Sequence, residues 1–149
     1  MSTVNAAPDR WHAPCLGHVR VADAMHAGVA ACTSDTPLRD VARMLVEHRL
    51  HCVAVPVIEG TGISTWAIVS DLDLLGAAAA GSLEGRTAGD IAAGEAPAIS
   101  DDDLLDRGVQ LLSEHQVSHL VVVGAATGRP VGVLSTLDVA GLLAWHENG

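Results

Sequence analysis

The chain has 149 residues, a length that suits one well-buried domain or two short repeats that share a core. Its formal net charge of −10, with eight arginines and no lysine, argues against nucleic-acid binding, which needs a basic surface. No apolar run approaches the ~20 residues that cross a bilayer, and residues 1–10 lack a signal-peptide core, so we expect a cytoplasmic protein with no membrane partner.

Residues 1–19 are predicted to be a flexible N-terminal lead. This segment contains His12, Cys15 and His18 at three-residue spacing, and these side chain types bind zinc. Pro14 and Gly17 favour a loop here, and the spacing fits no common zinc finger, so we predict no metal site. A zinc-responsive protein stays as an alternative hypothesis.

Two segments of the chain repeat each other. Asp23 lies 67 residues before its counterpart Asp90, whereas Ser70 lies 65 residues before Ser135, because the first copy has two extra loop residues. This is the pattern of a tandem duplication. Related halves usually pack face to face, with a ligand site in the crevice between them. The predicted organisation is a lead (1–19), a first repeat (20–80), a linker (81–86) and a second repeat (87–146).

Each copy predicts a short helix, a strand, a helix, two strands and a final helix. In the first copy, residues 29–32 form the first strand, and Thr36 and Pro37 supply an N-cap followed by proline at the first helical position. Apolar residues then recur at the spacing of one helical face. These residues are Leu38, Val41, Ala42 and Leu45, and their counterparts are Leu105, Gly108, Val109 and Leu112.

The second half of each copy predicts a hairpin followed by a helix. In the first copy, strands at 52–57 and 66–69 flank a glycine-containing loop, and a helix covers 72–80. The second copy repeats this order, with strands at 120–123 and 131–134 and a helix at 137–146.

These elements resemble the CBS domain, named after cystathionine β-synthase. Each copy has an Asp-Ile or Asp-Ala entry, a Glu-His pair before the second strand and an apolar strand that ends in Ser-x-x-Asp. The resemblance covers residues 20 to about 144. It implies an α/β (α+β) fold of two β-α-β-β-α repeats packed with pseudo-two-fold symmetry, as in a stand-alone Bateman module. It also implies two clefts between the repeats, a homodimer and an adenosine-containing ligand.

The candidate ligand residues are Ser70 and Asp73 in the first copy and Ser135 and Asp138 in the second. Each pair lies where a strand passes into a helix, so the serine hydroxyl and the free backbone N–H groups offer an anion site. An aspartate one turn later can accept hydrogen bonds from both hydroxyls of a ribose. The resemblance implies these roles for AMP, ATP or S-adenosylmethionine. The same pattern is also a helix capping box, and the two interpretations are compatible.

The resemblance adds further candidates by position. Thr33 and Ser100 end the first strands, although an ordinary turn hydroxyl explains them equally well. His51 and Ser118 enter the second strands, whose backbone reads the adenine edge in the family.

One feature departs from the family pattern. Gly132 precedes the end of the last strand in the second copy, but the first copy has Ala67 beside Trp66. We interpret Trp66 as a core residue rather than a wall of the first cleft. Few cations lie near the clefts, which favours AMP or S-adenosylmethionine over ATP. They are Arg49, His51, His119 and Arg129.

Nothing in the sequence predicts catalysis. There is no glycine-rich phosphate loop, and the acids Asp71 and Asp73 are explained as charges at a helix N-terminus. Three cysteines without a Cys-x-x-Cys motif predict reduced thiols. We therefore predict a non-enzymatic regulatory module without a catalytic cofactor, which senses an adenosyl ligand and signals to an effector protein. The alternative is a ligand-free dimerisation scaffold in which the motifs only cap helices.

Overall fold

The computed structural model describes residues 14–81 and 83–145, which form seven helices and eight strands. Helix α1 (Pro14–Gly17) precedes the repeats. The first repeat contains α2 (Val21–Ala24), β1 (His26–Ala27), β2 (Ala30–Ala31), α3 (Leu38–His48), β3 (Cys52–Glu59), β4 (Gly62–Ser70) and α4 (Asp71–Ala79). The second repeat contains α5 (Ala88–Ile91), β5 (Ala93–Ala96), β6 (Ile99–Ser100), α6 (Leu105–His115), β7 (His119–Val123), β8 (Pro130–Ser135) and α7 (Thr136–Trp145). Within the described ranges, no helix is long and apolar enough to span a membrane.

The strands form two four-stranded sheets, and each repeat gives one strand to the sheet of the other. One sheet has the order β2-β3-β4-β5 and the other the order β1-β8-β7-β6. β1 runs antiparallel to β8, with His26 opposite Val133. β5 runs antiparallel to β4, with Ala93 opposite Ile68. The mixed α+β fold of two similar units is confirmed, but the sequence predicted one strand fewer in each repeat.

The short helices α2 and α5 are exchanged in the same way. The backbone N–H of Val21 donates to the carbonyl oxygen of Asp103 at 2.8 Å, and the N–H of Ala88 donates to Thr36 at 2.8 Å. Val21 and Ala88 are both completely buried, each in the core of the opposite repeat. The opening segment of each sequence repeat is therefore built into the other half of the fold.

Three clusters of buried side chains make up the core. One packs the sheet of the first repeat against α3, and a second packs the sheet of the second repeat against α6. The third joins the two sheets through Ala54, Trp66 and Ile68 on one side and Val121 and Val133 on the other. Trp66 is buried in this third cluster, so its interpretation as a core residue is confirmed.

The start of α3 differs from the sequence prediction. Thr36 was predicted as the N-cap and Pro37 as the first helical residue, but the helix begins at Leu38 and Pro37 occupies the cap position without a side-chain bond. The prediction is wrong by one residue, because the backbone at the start of α3 makes hydrogen bonds with the segment that leads into α5. The N–H of Leu38 donates to the carbonyl oxygen of Arg86 at 3.0 Å. The hydroxyl of Thr36 instead accepts a hydrogen bond from the N–H of Thr33.

The first hairpin is longer than predicted. β3 and β4 continue through the predicted loop and meet at a tight turn, where Gly60 has a φ of 65°. Glycine suits this turn because a positive φ is unstrained only without a Cβ.

The structure also differs from the predicted flexible lead over residues 14–19. Pro14–Gly17 forms a helical turn, and Leu16 is buried in the core of the second repeat. Residues 1–13 lie outside the described part of the chain.

Candidate functional site

Both Ser-x-x-Asp motifs form reciprocal capping boxes at the start of a helix. The Oγ of Ser70 accepts from the N–H of Asp73 at 3.1 Å, and the Oδ2 of Asp73 accepts from the N–H of Ser70 at 2.8 Å. Ser135 and Asp138 make the same two bonds at 3.1 and 2.9 Å. Capping uses one carboxylate oxygen of each aspartate, so the second oxygen, Oδ1, decides whether the motif can also bind a ligand.

The backbone N–H groups at the start of α4 are less free than the sequence suggested. The N–H of Asp71 donates to the carbonyl oxygen of His51 at 2.8 Å, and the N–H of Leu72 donates to the Asp71 carboxylate at 2.8 Å. The N–H of Asp73 donates to Ser70. The predicted anion site on free N–H groups is therefore wrong for α4, because neighbouring oxygens already accept from its first three donors.

His51 and Ser118 lie beside the first residues of α4 and α7. The carbonyl oxygen of His51 accepts from the first N–H of α4, and that of Ser118 accepts from the first N–H of α7 at 2.9 Å. The His51 imidazole Nδ1 also lies 3.2 Å from the Asp71 carboxylate. The Oγ of Ser118 lies 2.9 Å from the Nδ1 of His119.

Thr33 lies in the loop that follows β2, and Ser100 is the last residue of β6. The hydroxyl of Thr33 bonds to Asp35 and Thr36, and the hydroxyl of Ser100 accepts from the N–H of Asp102 at 3.1 Å. Thr33 borders a hollow of about 290 Å³ next to the second half of β3, and neither Ser70 nor Asp73 lines it. The structure therefore does not bring Thr33 to the Ser70 motif.

The exchanged strands complete each cleft. β1 of the first repeat pairs with β8, which leads into Ser135, and β5 of the second repeat pairs with β4, which leads into Ser70. Each motif therefore lies beside a strand from the opposite repeat. His26 and Ala93 occupy corresponding positions on these strands. His26 lies opposite Val133, and Ala93 lies opposite Ile68.

His26 distinguishes the second motif from the first. Its Nδ1 lies 2.8 Å from the Oδ1 of Asp138, whose side chain is only 7% exposed, whereas the imidazole is 74% exposed. Ser135 is also buried, whereas Ser70 is partly exposed. The spacing of the sequence does not predict this contact, because His26 reaches Asp138 only through the strand exchange.

Gly132 is required by the close approach of the exchanged strand. A Cβ at this position would lie 2.5 Å from the carbonyl oxygen of His26 and 3.0 Å from the Sδ of Met25. At the corresponding Ala67 the pairing of β4 with β5 shifts register between Trp66 and Ile68. The strand pairing of the first repeat is therefore irregular at the position where alanine replaces the glycine.

A groove of about 490 Å³ runs between α3 and α4 on the first repeat. Apolar side chains of the two helices line most of it, and Arg49, His51 and Asp71 add polar groups at one end. Neither Ser70 nor Asp73 is part of its lining.

The described cysteines are held as thiols. Burial, and secondarily the Asp71 carboxylate, raise the pKa of Cys52 to about 11. Burial also raises the pKa of Cys32. Both cysteines are free, in agreement with the prediction of reduced thiols for these two positions.

The zinc hypothesis rests on residues that lie largely outside the described structure. His12 is not described, and neither is the side chain of Cys15, whereas His18 is exposed. In the part of the chain that the structure covers, no group of three or more histidine, cysteine, aspartate or glutamate residues could hold a metal ion.

Solved structures of known proteins share this fold. The CBS domain protein PAE2072 from Pyrobaculum aerophilum, complexed with AMP, is 26% identical with a TM-score of 0.60, over 85% of this chain and 97% of that one. The CBS domain pair of protein MJ0100, in complex with 5′-methylthioadenosine and S-adenosyl-L-methionine, is 20% identical with a TM-score of 0.60, over 85% and 96%. Hypoxic Response Protein I, with two coordinated zinc ions, is 22% identical with a TM-score of 0.55, over 83% and 98%.

The sequence comparisons identify the family. No curated protein matches the chain. The sequence model of the CBS domain matches twice, at residues 21–80 and 88–144. Together with the duplicated fold, these matches show that the chain belongs to the CBS domain family and carries two copies of the domain.

Proposed function

We propose that the chain is a regulatory module that binds an adenosine-containing ligand in the cleft at Ser70 and Asp73. The observation that carries the proposal is the Asp73 carboxylate. Its Oδ2 is fixed by the capping bond to Ser70, while no described residue makes a hydrogen bond or ion pair with its Oδ1. A partly exposed carboxylate held in this way is suited to accept the two hydroxyls of a ribose.

The ligands of related CBS proteins support the adenosyl class. PAE2072 is complexed with AMP, and the MJ0100 domain pair is in complex with 5′-methylthioadenosine and S-adenosylmethionine. These three molecules share adenosine and differ in what is attached to its 5′ carbon. An aspartate that recognises the ribose would serve all of them.

The electrostatics of the first cleft favour a ligand with little negative charge. The first three N–H donors of α4 are already engaged, and Asp71 and Asp73 both lie at the start of this helix. Arg49 and His51 line the neighbouring groove between α3 and α4, and His51 pairs with Asp71. AMP or S-adenosylmethionine therefore fits better than the triphosphate of ATP.

The strand exchange gives such a ligand a means of signalling. The first cleft combines Ser70 and Asp73 with β5 of the second repeat, so a ligand there would contact both halves. It would favour the relative setting of the halves in which both sets of contacts are made. That shift would alter the surface that contacts an effector protein. The free energy of the shift cannot exceed the ligand's differential affinity for the two settings.

Thermal unfolding of the purified chain tests this proposal. AMP or S-adenosylmethionine at about 100 times its dissociation constant should stabilise the fold by about 2.7 kcal/mol, which raises the Tm by several degrees. The Asp73→Asn variant should lose this shift because it loses the charge that favours the diol. Asp90→Asn is the matched control, since Asp90 forms a similar capping box on α5.

Two outcomes would contradict the proposal. One is the absence of a shift with AMP, S-adenosylmethionine and ATP, which would favour the ligand-free scaffold. The other is a shift of equal size in wild type and Asp73→Asn, which would place the ligand elsewhere.

A further inference from the structure

We infer that the two clefts are unequal, with His26 closing the second cleft, so that one adenosyl ligand binds per chain, at Asp73. This inference rests on the proposed function and concerns where the ligand binds. It does not follow from the sequence, because both copies keep the Ser-x-x-Asp motif unchanged.

Both oxygens of the Asp138 carboxylate are engaged. Oδ2 accepts the capping hydrogen bond from the N–H of Ser135 at 2.9 Å, and Oδ1 lies 2.8 Å from the Nδ1 of His26. The Asp138 side chain is 7% exposed, so little of the carboxylate is open to a ligand. A diol would have to displace His26 before it could reach this carboxylate.

The backbone holds His26 in this position. His26 and Ala27 pair with Val133 and Gly132 of β8, and the carbonyl oxygen of His26 lies where a Cβ on Gly132 would come within 2.5 Å of it. β1 therefore lies against β8 with no room for a side chain between them. The strand register places His26 opposite Val133, two residues before Ser135. From this position the His26 imidazole contacts Asp138.

The first cleft has the same architecture without the histidine. Ala93 lies opposite Ile68, as His26 lies opposite Val133, and both partners stand two residues before the serine of the motif. A methyl group cannot donate a hydrogen bond, and no described residue bonds to the Oδ1 of Asp73. The difference in hydrogen bonding between Asp138 and Asp73 can thus be traced to one pair of corresponding residues, His26 and Ala93.

The hydrogen bond between His26 and Asp138 sets how strongly the histidine should weaken ligand binding at the second cleft. A hydrogen bond to a buried charged group changes an equilibrium constant by about ten- to a hundredfold. Because the imidazole itself is 74% exposed, it can rotate into solvent, and closure is an equilibrium rather than a permanent block. We therefore expect the second cleft to bind ligand about ten- to a hundredfold more weakly than it would without the histidine.

Isothermal titration calorimetry with AMP and with S-adenosylmethionine tests the inference on the full chain. Wild type should bind one ligand per chain, and His26→Ala should bind two. The reciprocal variant Ala93→His places the histidine over Asp73 and should weaken the first site about ten- to a hundredfold. Both substituted positions are exposed, so the variants are expected to fold, and their Tm without ligand provides the check.

Each result separates this inference from the proposed function. Two equivalent sites in wild type, or one site that is unchanged in His26→Ala and Ala93→His, would overturn the inference and leave an adenosyl-binding module. Binding that is lost in Asp138→Asn but kept in Asp73→Asn would reverse the assignment of the clefts. The absence of binding by wild type and His26→Ala would overturn the proposed function, and the inference with it.

Discussion

Cys52 is the first residue of β3, where burial and the Asp71 carboxylate raise the pKa of its thiol to about 11. Burial and a neighbouring negative charge both disfavour the thiolate. At pH 8 the thiolate fraction is then about a hundredfold lower than for a thiol with the ordinary pKa of 9.0. We expect iodoacetamide to label Cys52 about a hundredfold more slowly in the folded chain than in urea, as followed by peptide mass spectrometry.

The same pKa gives this prediction a second readout. As the pH rises from about 9 to about 11, the thiol ionises in the unfolded chain before it does so in the folded one. Its contribution to the free energy of unfolding is thus present below pH 9 and is lost as the pH rises through this window. In the Cys52→Ala variant, the free energy of unfolding should therefore fall less steeply over this pH range. Equal labelling rates in folded and unfolded chains would show that the thiol is not protected.

The candidate site shows what the residues alone could predict. Ser70 and Asp73 were identified correctly as residues at a helix start, because a capping box depends on local spacing. Their ligand role stays a prediction, as do the roles of Thr33 and His51. The contact between His26 and Asp138 could not be predicted, because 112 residues separate the two positions and only the exchanged strand brings them together.

Among the secondary-structure elements, length and periodicity decided which ones the sequence could predict. The helices α3 and α6 were predicted because Leu38, Val41 and Leu45, and their counterparts, repeat at helical spacing and are buried as expected. β1 and β5 were missed. They have only two and four residues, and neither contains Val, Ile, Thr, Phe, Tyr or Trp, the residue types that favour strands. Their strand conformation is imposed by pairing with β8 and β4, which are distant in sequence.

The pairing of β1 with β8 should be sensitive to one methyl group. In Gly132→Ala the added Cβ would lie 2.5 Å from the carbonyl oxygen of His26, which is backbone and cannot turn aside. We expect a loss of about 1–3 kcal/mol in the free energy of unfolding, measured by urea denaturation. Gly141→Ala in α7 is the control, because no atom lies within 4 Å of its added Cβ, and it should be neutral or gain up to about 1 kcal/mol. A Gly132→Ala variant as stable as wild type would mean that β1 does not lie against β8.

At the scale of the whole molecule, the exchange of α2–β1 and α5–β5 ties the two repeats together. Each core contains a segment of the other repeat, with Val21 and Ala88 completely buried. Neither repeat can therefore keep its core if the other unfolds. The sequence duplication predicted two similar halves, but not this interlocking, because the pattern of apolar residues does not say which half buries them.

The outer surface of the molecule indicates where a second copy would bind. Five of the nine large hydrophobic residues that are exposed in the described structure lie on α4 and α7, the corresponding final helices of the two repeats. They are Leu72, Leu75, Leu137, Leu143 and Trp145. Exposed apolar side chains commonly mark a protein interface, and we expect the predicted homodimer to form through α4 and α7.

Charge on these helices should therefore prevent dimerisation. Leu72 and Leu137 occupy corresponding positions and are 72% and 76% exposed, so the double variant Leu72→Glu/Leu137→Glu removes no core contact. We expect size-exclusion chromatography with light scattering to show a dimer for wild type and a monomer for the variant, with unchanged circular dichroism. Val46→Glu is the matched control, because Val46 is 77% exposed but lies on α3, and this variant should stay dimeric. A wild-type monomer at about 100 μM would contradict the proposed dimer, and a dimer that only Val46→Glu disrupts would place the interface on α3 instead.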